Sequence, residues 1–474
     1  MRAINRAPGA LPVLGHLRQL LQDPTGFLSS LPAHGDLVEI RLGSRPTYVV
    51  CGPDLASRVL VKEHRRFDKG GPFFDNIALF FGDGLATCPN AKHTRLRRLT
   101  QPAFHAHQLA DYSSLLARES DIVLGSWQEG QVMDTYPVMQ ELALRITVST
   151  MFASWFTGAD AEPEAVGETL GHVNTLVAGA FLRMVAPSVA RLPLPANRRF
   201  DQARTTLYAK IDATIDAYRR DDRDHGDLLS MLIAPDGTDD ALSDREVREQ
   251  VMTMFIAGIG TTASMLGWAL HYLSRNPDLD ALVAAEVHRT CGTEPVGHHH
   301  LAGLPTLAAV VTETFRIRPA AWMFSRVAVS DADLGGYRIP AGADVLISPY
   351  VLHHRPDLFP DPERFDHTRW DGHGRDAAQA ERAGTLIPFG TGPRKCVGRE
   401  FALMNITLAL AAILRTWRLT PATPAPVGIC GRAIIEPRGL ALRLHHRPAP
   451  SGPRQAENAD EVRQAAPAAP ARPS

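Results

Sequence analysis

Apolar and polar positions change their period along the chain. In GDLVEIRLGSRPTYVV, Gly35 to Val50, apolar residues alternate with polar ones, β-branched side chains recur, and glycine and proline bound the run, which predicts a two-stranded β element. From about Asp54 to Asp240 the spacing is mostly helical, with expected loops at DKGGPFFDNIALFFGDG and RLPLPANRRF. The best-marked helix begins at SDRE, where Ser243 and Glu246 have capping-box spacing, and it ends where Asn276 and Pro277 stop it. Its roughly 32 residues would span about 48 Å and cross a whole protein. Further helix is expected to about Arg318, then short strands around GGYRIPAGADVLI, a proline-rich connection, a glycine-rich loop and a last helix from about Val397. The fold class is therefore mainly α with small β-sheets.

Inside the long helix, FIAGIGTTAS (Phe255 to Ser264) places two glycines and two adjacent threonines in an apolar run. Glycine costs roughly 1 kcal/mol relative to alanine in a helix interior, so the stretch calls for a compensating role. The run from Val251 to Leu273 reaches the length of a membrane span, about 20 residues. Its polar residues, and the lack of a second comparable run, point instead to a buried core helix.

Composition narrows the class. With 474 residues, 45% hydrophobic and 21% charged, the chain can fill a large core, and fifty basic residues against fifty-one acidic ones exert no global pull on nucleic acid or anionic membrane. Its five cysteines, Cys51, Cys88, Cys291, Cys396 and Cys430, are far apart and lack CxxC spacing, which favours a reduced, cytoplasmic setting. Pro8 and Pro12 break up the apolar segment that a secretory signal needs, so no leader or membrane anchor is expected. Residues 1–446 are read as a single domain, and 447–474, rich in proline and alanine with little to bury, as a disordered tail.

Chemistry concentrates in PFGTGPRKCVGREFALM, Pro388 to Met404. Cys396 follows a glycine-containing loop and directly precedes a helix, whose N-terminus stabilises a thiolate. Gly390 and Gly392 let the loop fold tightly, Gly398 lets the helix start approach a flat ligand, Phe389 shields the sulfur, and Arg394 reaches an anionic group at the ligand's edge. The GHHHL run, His298 to His300, reads as a solvated loop, because consecutive side chains diverge and no acid is evident at ligand spacing.

The pattern F-G-x-G-x-R-x-C-x-G, carried by Phe389, Gly390, Gly392, Arg394, Cys396 and Gly398, closely resembles the haem-ligand loop of the cytochrome P450 family. The resemblance extends from about Gly9 to His446. It implies that family's fold, with a long central helix over a buried haem b whose iron is held by the Cys396 thiolate. ETFR supplies Glu313 and Arg316, and FPDPERFD supplies Arg364; in the family, residues at these positions form a buried ion-paired triad behind the haem. HTRLRRLTQPAF resembles the helix that contacts the haem propionates, so His93 and Arg97 are expected to bind them, with Arg326 and Arg394. The stretch Ala257 to Thr262 matches the family's widened, oxygen-binding turn. Thr261 stands where a threonine helps deliver protons, and Gly260 stands where the family has an acid. That departure keeps non-oxygenase chemistry open, as an isomerase, dehydratase or peroxygenase.

The same layout implies a pocket drawing on Phe73, Phe74, Phe80, Phe81, Leu176, Val177, Phe181, Ile256, Ala257, Ala320, Ala321 and Met323, almost wholly apolar. Local runs such as FDKGGP, LPLPANRRF and RPAAW resemble actinobacterial oxidases of cyclic sesquiterpenes. They rank terpenoids first, with steroids, fatty acids and macrolides behind. O2 and electrons from separate proteins, a ferredoxin and its reductase, are implied. Arg394, Lys395 and Arg399 are read as a local basic patch for the acidic partner.

Overall fold

In the computed structural model, which describes residues 2–152, 163–185, 192–221, 223–233, 241–370, 376–431 and 433–447, the alternating N-terminal run forms the predicted hairpin. Strand β1 (Asn5–Arg6) lies parallel to β2 (Leu37–Leu42), which turns at Gly43 into β3 (Arg45–Val50), with Leu37 opposite Val50 and Leu42 opposite Arg45. Alternation sorts these side chains onto two faces, both covered. Val38, Ile40 and Val49 join the main core, whereas Leu37, Tyr48 and Val50 join a second one. The hairpin belongs to a six-stranded sheet in the order β1-β2-β3-β9-β6-β4, completed by β4 (Phe67–Asp68), β6 (Phe324–Ala328) and β9 (Asp344–Ile347). Strands β7 (Ala332–Leu334) and β8 (Tyr337–Ile339) form a separate hairpin. Near the C-terminus β10 (Trp417–Pro421) and β13 (Ala441–His446) join β5 (Val132–Asp134), while β11 (Gly428–Gly431) and β12 (Ile435–Arg438) pair with each other.

The principal helices are α1 (Gly71–Phe81), α2 (Asn90–Thr100), α3 (Ala106–Gly125), α4 (Thr135–Met151), α5 (Pro163–Val185), α6 (Pro195–Asp221), α7 (Asp244–Ser274), α8 (Pro277–Cys291), α9 (Pro305–Ile317) and α10 (Arg399–Thr416). Two of them correct the sequence reading. α1 occupies most of the loop expected at DKGGPFFDNIALFFGDG, because Pro72 sits in its first turn and Gly82 ends it at φ 77°. α6 likewise begins inside the second expected loop, at Pro195. Proline and glycine marked helix ends there, not the absence of helix.

α7 has the predicted cap. The Ser243 backbone N–H donates to Glu246 at 2.9 Å, and the Glu246 N–H donates to the Ser243 hydroxyl at 3.4 Å. At the far end Asn276 caps α8, with Pro277 in that helix's first turn. Among the described residues α7 is the helix long and apolar enough to cross a membrane, yet most of it is buried inside the protein. It stays α-helical from end to end, which corrects the expected widened turn. Its glycines serve close packing instead. A Cβ would lie 3.1 Å from Thr147 at Gly258, 2.7 Å from Ile434 Cδ1 at Gly260, and 3.0 Å from Pro437 at Gly267. α4 can thus press onto one face of the helix, and β12 with the segment before it onto the opposite face.

Arg447, one residue past the expected boundary at His446, is held at both its backbone and its side chain. The Arg447 N–H donates to the Thr416 carbonyl at 2.7 Å, and its guanidinium meets Asp280 at 2.6 Å. Residues 448–474, most of the expected tail, lie outside the described residues.

Candidate functional site

The cysteine loop is built by glycine. Gly390 and Gly392 both take positive φ, 68° and 72°. The Gly390 N–H donates to the Ile387 carbonyl at 3.0 Å, Lys395 N–H to Gly392 at 3.0 Å, and Cys396 N–H to Phe389 at 2.9 Å. Any Cβ on Gly392 would fall 2.2 Å from the Leu60 carbonyl oxygen, so the loop fits only with glycine there. At Gly398 a Cβ would make ordinary contact with Phe104 at 3.6 Å; no protein neighbour demands glycine, and the residue lines the cavity.

Cys396 is accessible from that cavity while protein surrounds it on the longer range that sets desolvation. Burial therefore pushes the thiol up, against the Gly398 backbone N–H and Arg97, which pull it down. The loop alone does not make a stable thiolate. A positive charge opposite the sulfur is what it lacks. Phe389 lines the cavity beside it, with its ring 4.7 Å from that of Phe315.

His93, Arg97, Arg326 and Arg394 all line the same cavity, and Lys69, which the sequence reading missed, joins them. Arg394 is held by the Asn90 side-chain oxygen at 3.0 Å, by Asp68 at 3.3 Å and by the Cys88 sulfur at 3.8 Å. Cys88, read as a small core residue, is thus also a support for this cation. Arg97 donates to the Lys395 and Pro393 carbonyls, Arg326 to the Ser325 carbonyl at 2.7 Å, and Lys69 to the Ala86 carbonyl. The crowding shows in their acidities. Burial first, then Arg326 and Arg394, lowers Lys69 well below its usual range; burial, then Arg394, brings Arg326 down to about 10; burial, then Arg394 and Arg97, brings His93 down to about 3. Asp68 pairs with Arg394 at 3.3 Å and acts on Arg326, and the mutual lowering of Lys69, Arg326 and His93 is that of a cationic cluster, as a site for an anion has.

The cavity measures about 390 Å³. Phe74, Ala257, Thr261, Ala321 and Met323 line it as expected, together with Leu85, Phe104, Thr147, Met254 and Phe324. Leu176 is buried in the main core and Phe81, Val177 and Ile256 pack against that core without lining the cavity. Ala320 is also buried, its carbonyl accepting from Ile435 N–H at 3.2 Å. The side chains of Phe73, Phe80 and Phe181 lie outside the described residues. Thr261 donates its hydroxyl to the Ala257 carbonyl at 2.6 Å. Gly258 lines the cavity, whereas Gly260 does not, because its face turns to Ile434.

Behind the loop, Glu313 and Arg316 are fully buried and bonded twice, both contacts 2.8 Å. Arg364 is a correction to the expected triad. Its side chain is 71% exposed, and only its backbone carbonyl reaches Arg316, at 3.2 Å. Arg369 takes the third place, 3.4 Å from Glu313, and the Trp370 indole donates to the same carboxylate at 2.8 Å. The chain turns at Asp361, with φ 48°, and that turn presents Arg364 to solvent.

Two surface readings also change. Arg394 is 4% exposed and points inward, while Lys395 and Arg399 both pair with Glu381, at 3.2 and 2.7 Å, so the expected basic patch is largely neutralised. Glu294, five positions before His299, approaches both His299 and His300, at 3.9 and 4.0 Å. His300 Nδ1 accepts the Gly297 N–H at 3.0 Å, which leaves the ring proton on Nε2, where a metal would need a lone pair.

A thiol on one wall, cations along an edge and an apolar slab between them fit a flat macrocycle that carries carboxylates and an electrophilic metal. Comparison with known proteins agrees. The Cytochrome P450 family profile matches residues 6–430. Cyclooctatin synthase of Streptomyces melanosporofaciens is 43% identical over 88% of this chain and 90% of its own. Pentalenene oxygenase of Streptomyces avermitilis is 40% identical over 93% and 97%. A crystal structure of the cytochrome P450DA heme domain superposes with a TM-score of 0.83 at 26% identity, covering 94% of this chain and 98% of that one.

Proposed function

Because the chain belongs to the cytochrome P450 family, we propose that it is a haem-thiolate monooxygenase that inserts an oxygen atom from O2 into a C–H bond of a cyclic terpenoid, a sesquiterpene first among these. The cavity carries the reading: a thiol, a cationic rim and an otherwise largely apolar lining. Haem b, the family's cofactor, supplies oxygen activation when bound. Cys396 Sγ is its thiolate donor, steadied by the Gly398 N–H. Arg97, Arg326, Arg394, His93 and Lys69 hold the propionates. Phe74, Ala257, Ala321 and Met323 exclude water and orient apolar rings by shape. Thr261 Oγ1, already donating to Ala257, accepts a hydrogen bond from water in the cavity and can pass a proton on only by releasing that carbonyl. The names of the relatives, pentalenene oxygenase and cyclooctat-9-en-7-ol 5-monooxygenase, support a cyclic terpenoid substrate.

Electrons come from separate proteins, for which we assign a ferredoxin and its reductase, and the setting is cytoplasmic. Spectral titration of the haem-loaded protein with cyclic terpenes, alongside steroids, fatty acids and macrolides, tests the substrate class. Substrate-type shifts should appear with the terpenes at the lowest concentrations, and product should require O2 and NAD(P)H. Binding confined to another class, or turnover without O2, would overturn the reading.

A further inference from the structure

We propose that His353 is a positioning residue for the cysteine loop, a neutral ring that ties the buried Glu313–Arg316 pair to the backbone from which Cys396 hangs. His353 is fully buried at the end of the short helix Pro349–His353. Its Nε2 accepts the Ile387 N–H at 2.9 Å. That bond fixes the tautomer, so Nδ1 carries the proton and donates to the Arg316 carbonyl at 3.1 Å. The Arg316 guanidinium returns a bond to the His353 carbonyl at 2.9 Å, and it is locked in turn on Glu313.

From Ile387, two backbone bonds lead into the Cys396 loop. The Ile387 carbonyl accepts from Gly390 N–H, and the Phe389 carbonyl accepts from Cys396 N–H, at 3.0 and 2.9 Å. Ile387 is itself 2% exposed, so without the imidazole its N–H would be a buried donor with no acceptor. The ring must be neutral to donate at one nitrogen and accept at the other. Burial first, then His354 and Arg316, holds its pKa well below the ordinary histidine value and keeps it so.

The inference rests on Cys396 being the haem thiolate, and the experiment separates the two. In the unmutated protein, the reduced carbon monoxide complex should show the long-wavelength band of thiolate ligation; its absence sinks that assignment and this one with it. In His353→Asn the amide reaches the Nδ1 position and keeps the Arg316 link but not the Ile387 one. In His353→Gln the side-chain oxygen reaches the Nε2 position and restores the acceptor for Ile387. We expect His353→Asn and His353→Leu to lose most of the thiolate band to the short-wavelength form. Exchange of the Ile387 amide hydrogen should quicken about tenfold in both, the factor such a bond is worth. His353→Gln should retain both signatures. If His353→Asn keeps the band and the protection, or His353→Gln loses them as fully as His353→Asn does, His353 only fills space and the proposal fails. Should His353→Leu not fold, the Asn and Gln pair decides alone.

Discussion

Basic side chains crowded around one cavity repel one another, and that repulsion sets the sign of each substitution. Burial first, then Arg326 and Arg394, lowers the pKa of Lys69, and burial, then Arg394, lowers that of Arg326. Lys69→Met and Arg326→Met should therefore raise the thermal midpoint of the cofactor-free protein, while each weakens haem retention by roughly tenfold or more, the worth of a charge-assisted hydrogen bond. Transfer of haem to an apoprotein acceptor measures the second effect, and a loss of stability in both forms would count against the cationic rim. Cys396→Ser preserves the loop's backbone bonds, which involve only main-chain atoms, and should leave circular dichroism unchanged while abolishing the thiolate band. At this scale Cys396 was legible from its loop, and His93, Arg97, Arg326 and Arg394 through the family resemblance of the runs that hold them. Lys69 was not, because a lone lysine after Asp68 carries no pattern; folding alone brings it under Phe74, 5.3 Å from the ring.

Among the elements, α7 shows what glycine does when three neighbours converge. Gly260 faces the terminal methyl of Ile434, which can shift, so Gly260→Ala should change stability by no more than about 1 kcal/mol, helix propensity offsetting the contact. Gly260→Asp, which writes in the acid the family pattern expects, would bury a carboxylate against that methyl, the neighbour within 4 Å of the added Cβ. It should cost about 2 kcal/mol or more in chemical denaturation. If Gly260→Asp is as stable as Gly260→Ala, the packing account of this glycine is wrong. Ser243→Ala removes the cap at the other end and should cost about 1 kcal/mol. The cap and the stop of α7 were readable because both are local. The ends of α1 and α6 were misjudged because proline and glycine mark helix termini and loops with the same letters, and burial against other elements decides between them.

Across the whole molecule, buried histidines make the cofactor-free fold acid-sensitive. Burial holds His271 at about 4 and His354 at about 3, against 6.5 in the unfolded chain, and it lowers His353 further. The unfolded state then takes protons that the folded state refuses. Stability is complete above pH 6.5 and falls as the pH drops toward 4, by about 1.4 kcal/mol per pH unit for each such histidine. Thermal midpoints across that range should be flat above and decline below, and a midpoint that rises on acidification would contradict the burial of these rings. The sequence by itself determined the family, the cysteine loop and the long capped helix, since each is written in a contiguous run whose local chemistry leaves few alternatives. Only the tertiary structure decided that Arg369 rather than Arg364 meets Glu313, that Glu381 pairs with both Lys395 and Arg399, that Gly260 turns from the cavity, and that His353 ties the ion pair to the sulfur's loop. Those pairings join residues far apart in the chain, and which of several suitable partners is met depends on the angles at which helices and sheet pack, a quantity no local pattern encodes.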